Sequence, residues 1–348
     1  MLKRFLVVAV LASVFPSVAL PETESGGFAA CIISLQQQAR ERGIASHLVA
    51  ALGEANNLER VVELDRSQPE FTQTFADYVD RRVTAYRVSR GRDLLKKHRT
   101  LLGELTREYG IPAQYLVAFW GLETNFGNFL GKIPTLDALA TLACDHRRAR
   151  FFSAELFQAL ELAELHELDL GQMQGSWAGA IGHTQFLPSA YRRHGVDGDG
   201  DGRIDLWNSI PDALASAANY LHNLGWRPEF RWGREVKLPK DFPYHQAGID
   251  NPMPLREWQQ LGVRRTDGTL LGDIEVDAAL LVPSGADGPK FLVYDNFHVI
   301  MRWNRSQFYA LSVGHLADRI NGAGQFAQQP PNTRGLASRE VEALQAKL

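Results

Sequence analysis

One glutamate near the end of an apolar segment is the residue whose surroundings most favour chemistry. Glu123 follows an uncharged run, Pro112 to Leu122, which predicts a buried helix with a proline suited to its first turn. At helical spacing, Phe119 and Trp120 flank the carboxyl group on one face. A lone glutamate at a helix end is more often solvated, so features elsewhere in the chain must decide between the two interpretations.

The predicted environment of Glu123 raises the pKa of its carboxyl group. No other acidic residue lies between Glu108 and Asp137, and both aromatic neighbours and the negative end of the helix dipole disfavour a carboxylate. A carboxylic acid that stays protonated near neutral pH can act as general acid in the cleavage of a glycosidic bond. A two-carboxylate hydrolase would need a partner, for which Asp137 and Glu155 are the first candidates.

A second stretch, Gly175 to Tyr191, combines small residues with polar ones. Glycine and alanine dominate its first half, which lets the backbone approach a bulky group closely. Ser176 and Gln185 would supply polar contacts there. The alternative is a seam of small residues between packed helices.

An acidic loop follows, with the spacing of an EF-hand calcium loop. Aspartates occupy relative positions 1, 3, 5 and 9, which are Asp197, Asp199, Asp201 and Asp205. Gly202 occupies position 6, and Arg203 at position 7 offers its backbone carbonyl. Position 12 is Asn208 instead of glutamate, so Asp212 is the nearest candidate for the last ligand. We expect one structural Ca²⁺ and no organic cofactor; the alternative is an Asp-Gly turn without an ion.

The N-terminus has the pattern of a secretory signal peptide. A basic start, an apolar run and a small-residue site occupy residues 1–19. Cys31 lies too far beyond the apolar run to be a lipoprotein cysteine. No later segment approaches the roughly 18 apolar residues of a transmembrane helix, so we expect a soluble protein exported to the periplasm.

The net charge narrows the class of partner, and the cysteine content bears on disulfide formation. Without the signal peptide the chain carries 35 basic and 40 acidic residues, which argues against nucleic acid as a partner. We expect the two cysteines, Cys31 and Cys144, to form a disulfide, as export permits; the alternative is two buried thiols.

Apolar periodicity predicts an α+β fold that is mainly α. Residues 28–110 are mostly helical, and 111–230 contain the Glu123 helix and the acidic loop. Short strand-like runs broken by Pro, Gly and Asp predict a small mixed α/β insertion over 231–298. Helix returns from Val299 to Ile320 within a segment 299–325. The tail, 326–348, resembles a linker and the start of a small peptidoglycan-binding repeat.

Together these stretches resemble the lytic murein transglycosylase B family, glycoside hydrolase family 103, from about Phe28 to Asn321. The resemblance rests on 120–127, 175–191, the acidic loop with Leu206-Trp207, 218–220 and 303–311. It implies a lysozyme-like helical core with a helical N-terminal region and a small β-containing subdomain. Glu123 falls on the family's single catalytic acid/base. The implied sugar-binding cleft comprises Ser176, Gln185, Phe186, Tyr220, Trp303, Asn304 and Tyr309.

The resemblance implies non-hydrolytic cleavage of the MurNAc-GlcNAc β-1,4 bond of peptidoglycan, leaving 1,6-anhydromuramic ends. Peptidoglycan strands are then the expected partner, with other cell-wall enzymes as further candidates. Trp303 replaces a tyrosine of a known member, which preserves a stacking surface. Two alternatives remain: a lysozyme-type hydrolytic muramidase, and a non-catalytic calcium-dependent protein that binds cell-wall glycan.

Overall fold

The computed structural model describes residues 24–66 and 73–331. The predicted signal peptide and the tail after residue 331 lie outside the described residues. Of the helices within the described ranges, none combines the length and the apolar character needed to cross a membrane.

The N-terminal region is helical. Threonine hydroxyls cap two of its helices, because Thr74 accepts from the backbone N–H of Asp77 and Thr84 from that of Arg87. Gly110 ends the last helix in the left-handed conformation, with φ at 74°. The helices are α1 (Glu24–Glu41), α2 (Ser46–Gly53), α3 (Glu59–Arg66), α4 (Phe75–Arg82), α5 (Ala85–Lys97) and α6 (Arg99–Tyr109).

The helix that carries Glu123, α7, spans Ala113–Thr124. Pro112 precedes it in an extended conformation, so the proline sets the entry of the helix and lies just outside its first turn. The helix is buried at every position from Tyr115 to Leu122, which accounts for its lack of charge there. Four helices follow: α8 (Thr135–Cys144), α9 (Ala149–Leu165), α10 (Pro188–His194) and α11 (Ile210–Asn223).

A disulfide joins Cys31 in α1 to Cys144 at the end of α8. The two cysteines are 113 residues apart in the chain. Closing a loop of that length stabilises the folded state by at most about 5 kcal/mol in the chain-entropy account. The bridge ties the first helix to the helix that follows the Glu123 turn.

A five-stranded antiparallel sheet lies between α11 and the C-terminal helices. Its order is β4-β6-β7-β3-β5, and a separate two-stranded pair, β1-β2, lies near the Glu123 turn. Side chains of β6 and β7 alternate, with Phe291 and Leu281 in the main helical core, and Leu280 and Leu292 in a smaller core around Trp258. The elements are β1 (Ile133–Pro134), β2 (Gln174–Gly175), β3 (Gly233–Lys237), β4 (Met253–Pro254), α12 (Leu255–Gln260), β5 (Arg264–Arg265), β6 (Asp277–Leu281) and β7 (Lys290–Val293).

The C-terminal return is broken into two helices, α13 (Asp295–Trp303) and α14 (Gln307–Ile320). The sequence predicted one continuous helix from Val299 to Ile320. Asn304 is extended, with φ at −140°, and the hydroxyl of Ser306 accepts the backbone N–H of Tyr309 to start α14. The break lies directly between the two residues that contact Glu123. The prediction of an α+β, mainly α fold is confirmed.

Candidate active site

The carboxyl group of Glu123 accepts two hydrogen bonds on one oxygen. The indole Nε1–H of Trp303 donates to Oε1 at 3.0 Å, and the hydroxyl of Tyr309 donates to the same atom in a short contact. Glu123 lies in the last turn of α7 and is half-buried. The helix ends just after it, with Asn125 and Phe126 in the left-handed conformation. The other oxygen, Oε2, accepts no hydrogen bond from any described residue and is the atom left to contact a substrate.

Burial raises the pKa of Glu123 to about 7. The hydrogen bonds from Tyr309 and Trp303 act in the opposite direction, as does the positive charge of Arg82 in α4. Desolvation dominates because the carboxyl group is surrounded by aromatic side chains. At neutral pH, therefore, both the acid and the carboxylate are populated, and one group can donate a proton and later accept one.

Aromatic rings line the approach to Glu123. The ring of Trp303 lies 4.6 Å from Phe119, 5.4 Å from Phe186 and 5.1 Å from Tyr220, measured between centroids. We call Phe119, Phe186, Tyr220 and Trp303 the aromatic cluster. It joins α7, α11, α13 and the loop before α10. Phe119 and the predicted cleft residue Phe186 are buried, so they support the cluster from within, whereas Tyr220 and Trp303 are half-buried and have ring surface on which a sugar can stack.

The remaining predicted cleft residues use part of their polar groups within the protein. The Ser176 hydroxyl accepts the backbone N–H groups of Ala178 and Ala180 at 3.3 and 3.1 Å. Gln185 donates its amide N–H to the carbonyls of Leu130 and Gly182, and its amide oxygen accepts no hydrogen bond from the part of the chain that the structure describes. Asn304 accepts the N–H of Ser306 through Oδ1. Their contact with sugar remains a prediction.

The small-residue segment is not a seam between helices. Gly175, Ile181 and Phe186 are linked by isolated β-bridges, and the segment between them turns tightly. Gly175 also pairs with Ile133 in the short β1-β2 ladder. A Cβ on Gly131 would lie 2.0 Å from the carbonyl oxygen of Gly175, so these glycines bring backbone against backbone.

His183 is a residue of the site that sequence reasoning did not single out. Its Nδ1 accepts the indole N–H of Trp120 at 3.0 Å, and its carbonyl accepts the Thr124 hydroxyl at 2.7 Å. Its backbone N–H donates to Leu206 at 2.9 Å. Burial lowers the pKa of His183, so the neutral ring holds the end of α7. Trp120 therefore braces the helix, whereas Phe119 belongs to the aromatic cluster.

The acidic loop brings three carboxylates together. Asp197, Asp199 and Asp212 each offer an oxygen, and these atoms lie within 4.8 Å of one another. Asp212 is buried and accepts the backbone N–H groups of Gly198 and Asp205. An all-oxygen set of three carboxylates fits Ca²⁺, which would offset their mutual repulsion. Asp201 lies outside this group of three, and its carboxylate accepts the backbone N–H of Arg203. Asp201 and the Arg203 carbonyl remain predicted ligands.

A family model for the transglycosylase SLT domain matches residues 27–318. The chain therefore belongs to this family, and it is a lytic transglycosylase by family. It is 31% identical over 291 residues to the membrane-bound lytic murein transglycosylase B of Escherichia coli K12, covering 77% of this chain and 76% of that one.

Solved structures share the fold. SltB3 of Pseudomonas aeruginosa in complex with NAG-anhNAM-pentapeptide superposes with a TM-score of 0.85 at 40% identity, over 90% of this chain and 84% of that one. Escherichia coli Slt35 in complex with calcium gives a TM-score of 0.73 at 30% identity, over 84% of this chain and 92% of the other. The predicted lysozyme-like fold is thereby confirmed.

Proposed function

We propose that this chain cleaves the MurNAc-GlcNAc β-1,4 bond of peptidoglycan without water and leaves 1,6-anhydromuramic ends. The observation that carries the proposal is the raised pKa of Glu123, because a value of about 7 suits a group that must act first as an acid and then as a base. The family membership and the relatives that bind NAG-anhNAM and NAG-NAM pentapeptides support the choice of substrate.

The reaction proceeds in two proton transfers through Glu123. The protonated carboxyl group gives its proton to the bridging oxygen, and the bond between that oxygen and C1 of muramic acid breaks. The resulting carboxylate removes the proton from the C6 hydroxyl of the same sugar, and O6 bonds to C1. Glu123 regains its proton, so the enzyme is unchanged and no water is consumed.

A single carboxylate suffices because the nucleophile is part of the substrate. A well-aligned intramolecular hydroxyl has an effective molarity on the order of 10⁵ M or more. The two candidates for a second carboxylate are engaged elsewhere: Asp137 accepts from the backbone and side chain of Asn56, and Glu155 accepts from Ser189. This arrangement favours the transglycosylase over the two-carboxylate muramidase.

The remaining groups hold the substrate and the loop. Tyr220 and Trp303 would stack against sugar rings, while Gln185 and Asn304 would bind their polar groups. Asp197, Asp199 and Asp212, with Asp201 and the Arg203 carbonyl, would hold one Ca²⁺ that fixes the loop leading into α11. The signal-peptide pattern supports a periplasmic location for this activity.

The reaction products distinguish a transglycosylase from a two-carboxylate muramidase. Purified peptidoglycan digested with the protein and analysed by mass spectrometry should yield muropeptides with anhydro ends, each lighter by one water than a reducing end. Reducing ends as the main product would refute the proposal and direct attention to Asp137 and Glu155. A protein that binds glycan but releases no fragments would instead indicate the non-catalytic alternative.

A further inference from the structure

A second concave site lies between α9 and α10, next to the end of α1. Its cavity has a volume of about 490 Å³. Three of its lining residues are arginines, although the overall charge of the protein is negative. The lining residues are Arg42, Ala154, Gln158, Ser189, Arg192 and Arg193. Its residues belong neither to the aromatic cluster nor to the acidic loop, so the proposed reaction does not account for it.

Two of the three guanidinium groups are held in place by neighbours. The guanidinium carbon of Arg42 lies 4.3 Å from the ring centroid of Phe157. Arg192 pairs with Glu161 in a close contact and donates to Gln158 at 3.2 Å. Side chains fixed in this way lose less conformational freedom when they bind a ligand, so the cavity is organised before binding.

The positive charge of the cavity is not fully neutralised. Glu161 offsets Arg192, and Glu155 accepts hydrogen bonds from the backbone N–H and the hydroxyl of the lining residue Ser189 through its two oxygens. Among the described residues, Arg42 and Arg193 form no ion pair with a carboxylate. Guanidinium groups that line one cavity and pair with no described carboxylate can bind the two oxygens of a carboxylate or phosphate, and a concave wall strengthens their attraction.

Helix α10 links the cavity to the aromatic cluster. His194 follows Arg193 and stacks on Tyr220 with 4.6 Å between ring centroids, and Tyr220 in turn contacts Trp303. Burial raises the pKa of Tyr220, and the charge of Arg193 opposes that rise, as expected of neighbouring groups. An acidic substituent on a glycan bound along the cluster could therefore extend towards Arg193.

We infer that this cavity binds a free carboxylate of a peptide stem attached to the glycan, and so favours strands that carry stems over bare glycan. The inference rests on the proposed function, because peptidoglycan is the glycan whose stems carry such carboxylates. Arg42 and Arg193 form the pair of salt bridges to the stem, and Arg192, whose charge Glu161 offsets, contributes to the shape of the wall.

Calorimetric titration tests the site directly. The probes are a stem pentapeptide with free carboxylates, the same peptide with every carboxylate amidated, and inorganic phosphate. The proteins are the wild type, Arg193→Gln, the double variant Arg42→Gln/Arg193→Gln, and Arg256→Gln as an exposed control on α12. Arg193→Gln retains the Arg42 contact with Phe157, so it remains informative if the double variant folds poorly.

The free peptide should bind the wild type and Arg256→Gln equally, and Arg193→Gln at least about tenfold more weakly. The amidated peptide should not bind. Equal binding by wild type and double variant would overturn the inference, as would phosphate binding as tightly as the peptide, which would indicate a general anion site.

Turnover separates this inference from the proposed function. The double variant should release anhydro ends from bare glycan at the wild-type rate and lose the wild-type preference for stem-bearing strands. Retention of that preference would overturn the inference. A wild type that forms no anhydro ends on either substrate would refute the proposed function. The calorimetric result would still show whether the cavity binds the stem peptide.

Discussion

Trp303 and Glu123 lie 180 residues apart in the chain, and the indole N–H of Trp303 donates to Oε1 of Glu123 at 3.0 Å. Together with the Tyr309 hydroxyl on the same oxygen, this contact fixes the carboxyl group in one orientation. Both donors favour the carboxylate over the acid, whereas burial favours the acid. The balance between the two effects sets a pKa near neutrality, on which the proposed reaction depends.

Replacing Glu123 by glutamine should abolish turnover of peptidoglycan. An amide of the same shape can neither give nor take the proton, so we expect a loss of about 10⁴-fold or more in kcat. Folding should be unchanged by circular dichroism, and glycan binding should persist. The exposed Glu104→Gln variant on α6 is the control and should retain full activity. Residual turnover above one per cent would mean that another group supplies the proton.

Replacing Tyr309 by phenylalanine should move the alkaline limb of kcat/KM to higher pH. The hydroxyl favours the charged form of Glu123, so its loss raises the pKa of the carboxyl group, by about one unit for a charge-assisted hydrogen bond. The acid form then survives to higher pH. Tyr86→Phe, at an exposed tyrosine, should leave the profile unchanged. An unmoved limb in Tyr309→Phe would contradict the role assigned to this bond.

The raised pKa of Glu123 should also appear in folding stability. Between its ordinary value of 4.5 and about 7, the folded protein binds a proton that the unfolded chain releases. Stability therefore falls as pH rises through this window, by at most about 3 kcal/mol from this group. Urea unfolding at pH 4.5 and 8 should show a decline in wild type that is smaller in Glu123→Gln. Equal declines would show that Glu123 is not the group responsible.

Several parts of this site followed from local sequence. The environment of Glu123 could be predicted from the residues of one helix, and the acidic loop from the spacing of its ligands within nine residues. Both predictions needed only residue types at fixed intervals. The break at Asn304, the contact between Trp120 and His183, and the effect of the Arg82 charge on Glu123 depend on how distant elements pack. No spacing rule encodes them; the assignment of Trp303 and Tyr309 to the cleft came through the family resemblance.

Removing calcium should lower the melting temperature and reduce activity only as a consequence. An ion present at about one hundred times its Kd stabilises the folded state by about 2.7 kcal/mol. Chelation followed by readdition of Ca²⁺ should restore the melting temperature in wild type, but not in Asp197→Asn, where one of the three clustered carboxylates is lost. Asp250→Asn, an exposed control, should respond as wild type does. An unchanged melting temperature on readdition to wild type would exclude the ion.

The turn after Glu123 offers a test of how the end of α7 is held. Gly127 has φ at +81°, and a Cβ there would lie 2.4 Å from Nδ1 of His183, the atom that accepts the Trp120 indole N–H. Gly43 has nearly the same φ, +79°, with no atom within 4 Å of its Cβ position. Alanine at either site carries the cost of a left-handed conformation, about 1–2 kcal/mol, but only Gly127→Ala must also displace His183.

We therefore expect Gly127→Ala to destabilise the protein by about 1–3 kcal/mol more than Gly43→Ala in urea unfolding. It should also lower kcat/KM, since moving His183 releases Trp120 and with it the helix end that carries Glu123. Gly43→Ala should leave kcat/KM unchanged. In a His183→Ala background the excess cost of Gly127→Ala should disappear, because the obstructing ring is gone. If the excess persists there, the strain lies in the backbone of the turn, and His183 does not act as its support.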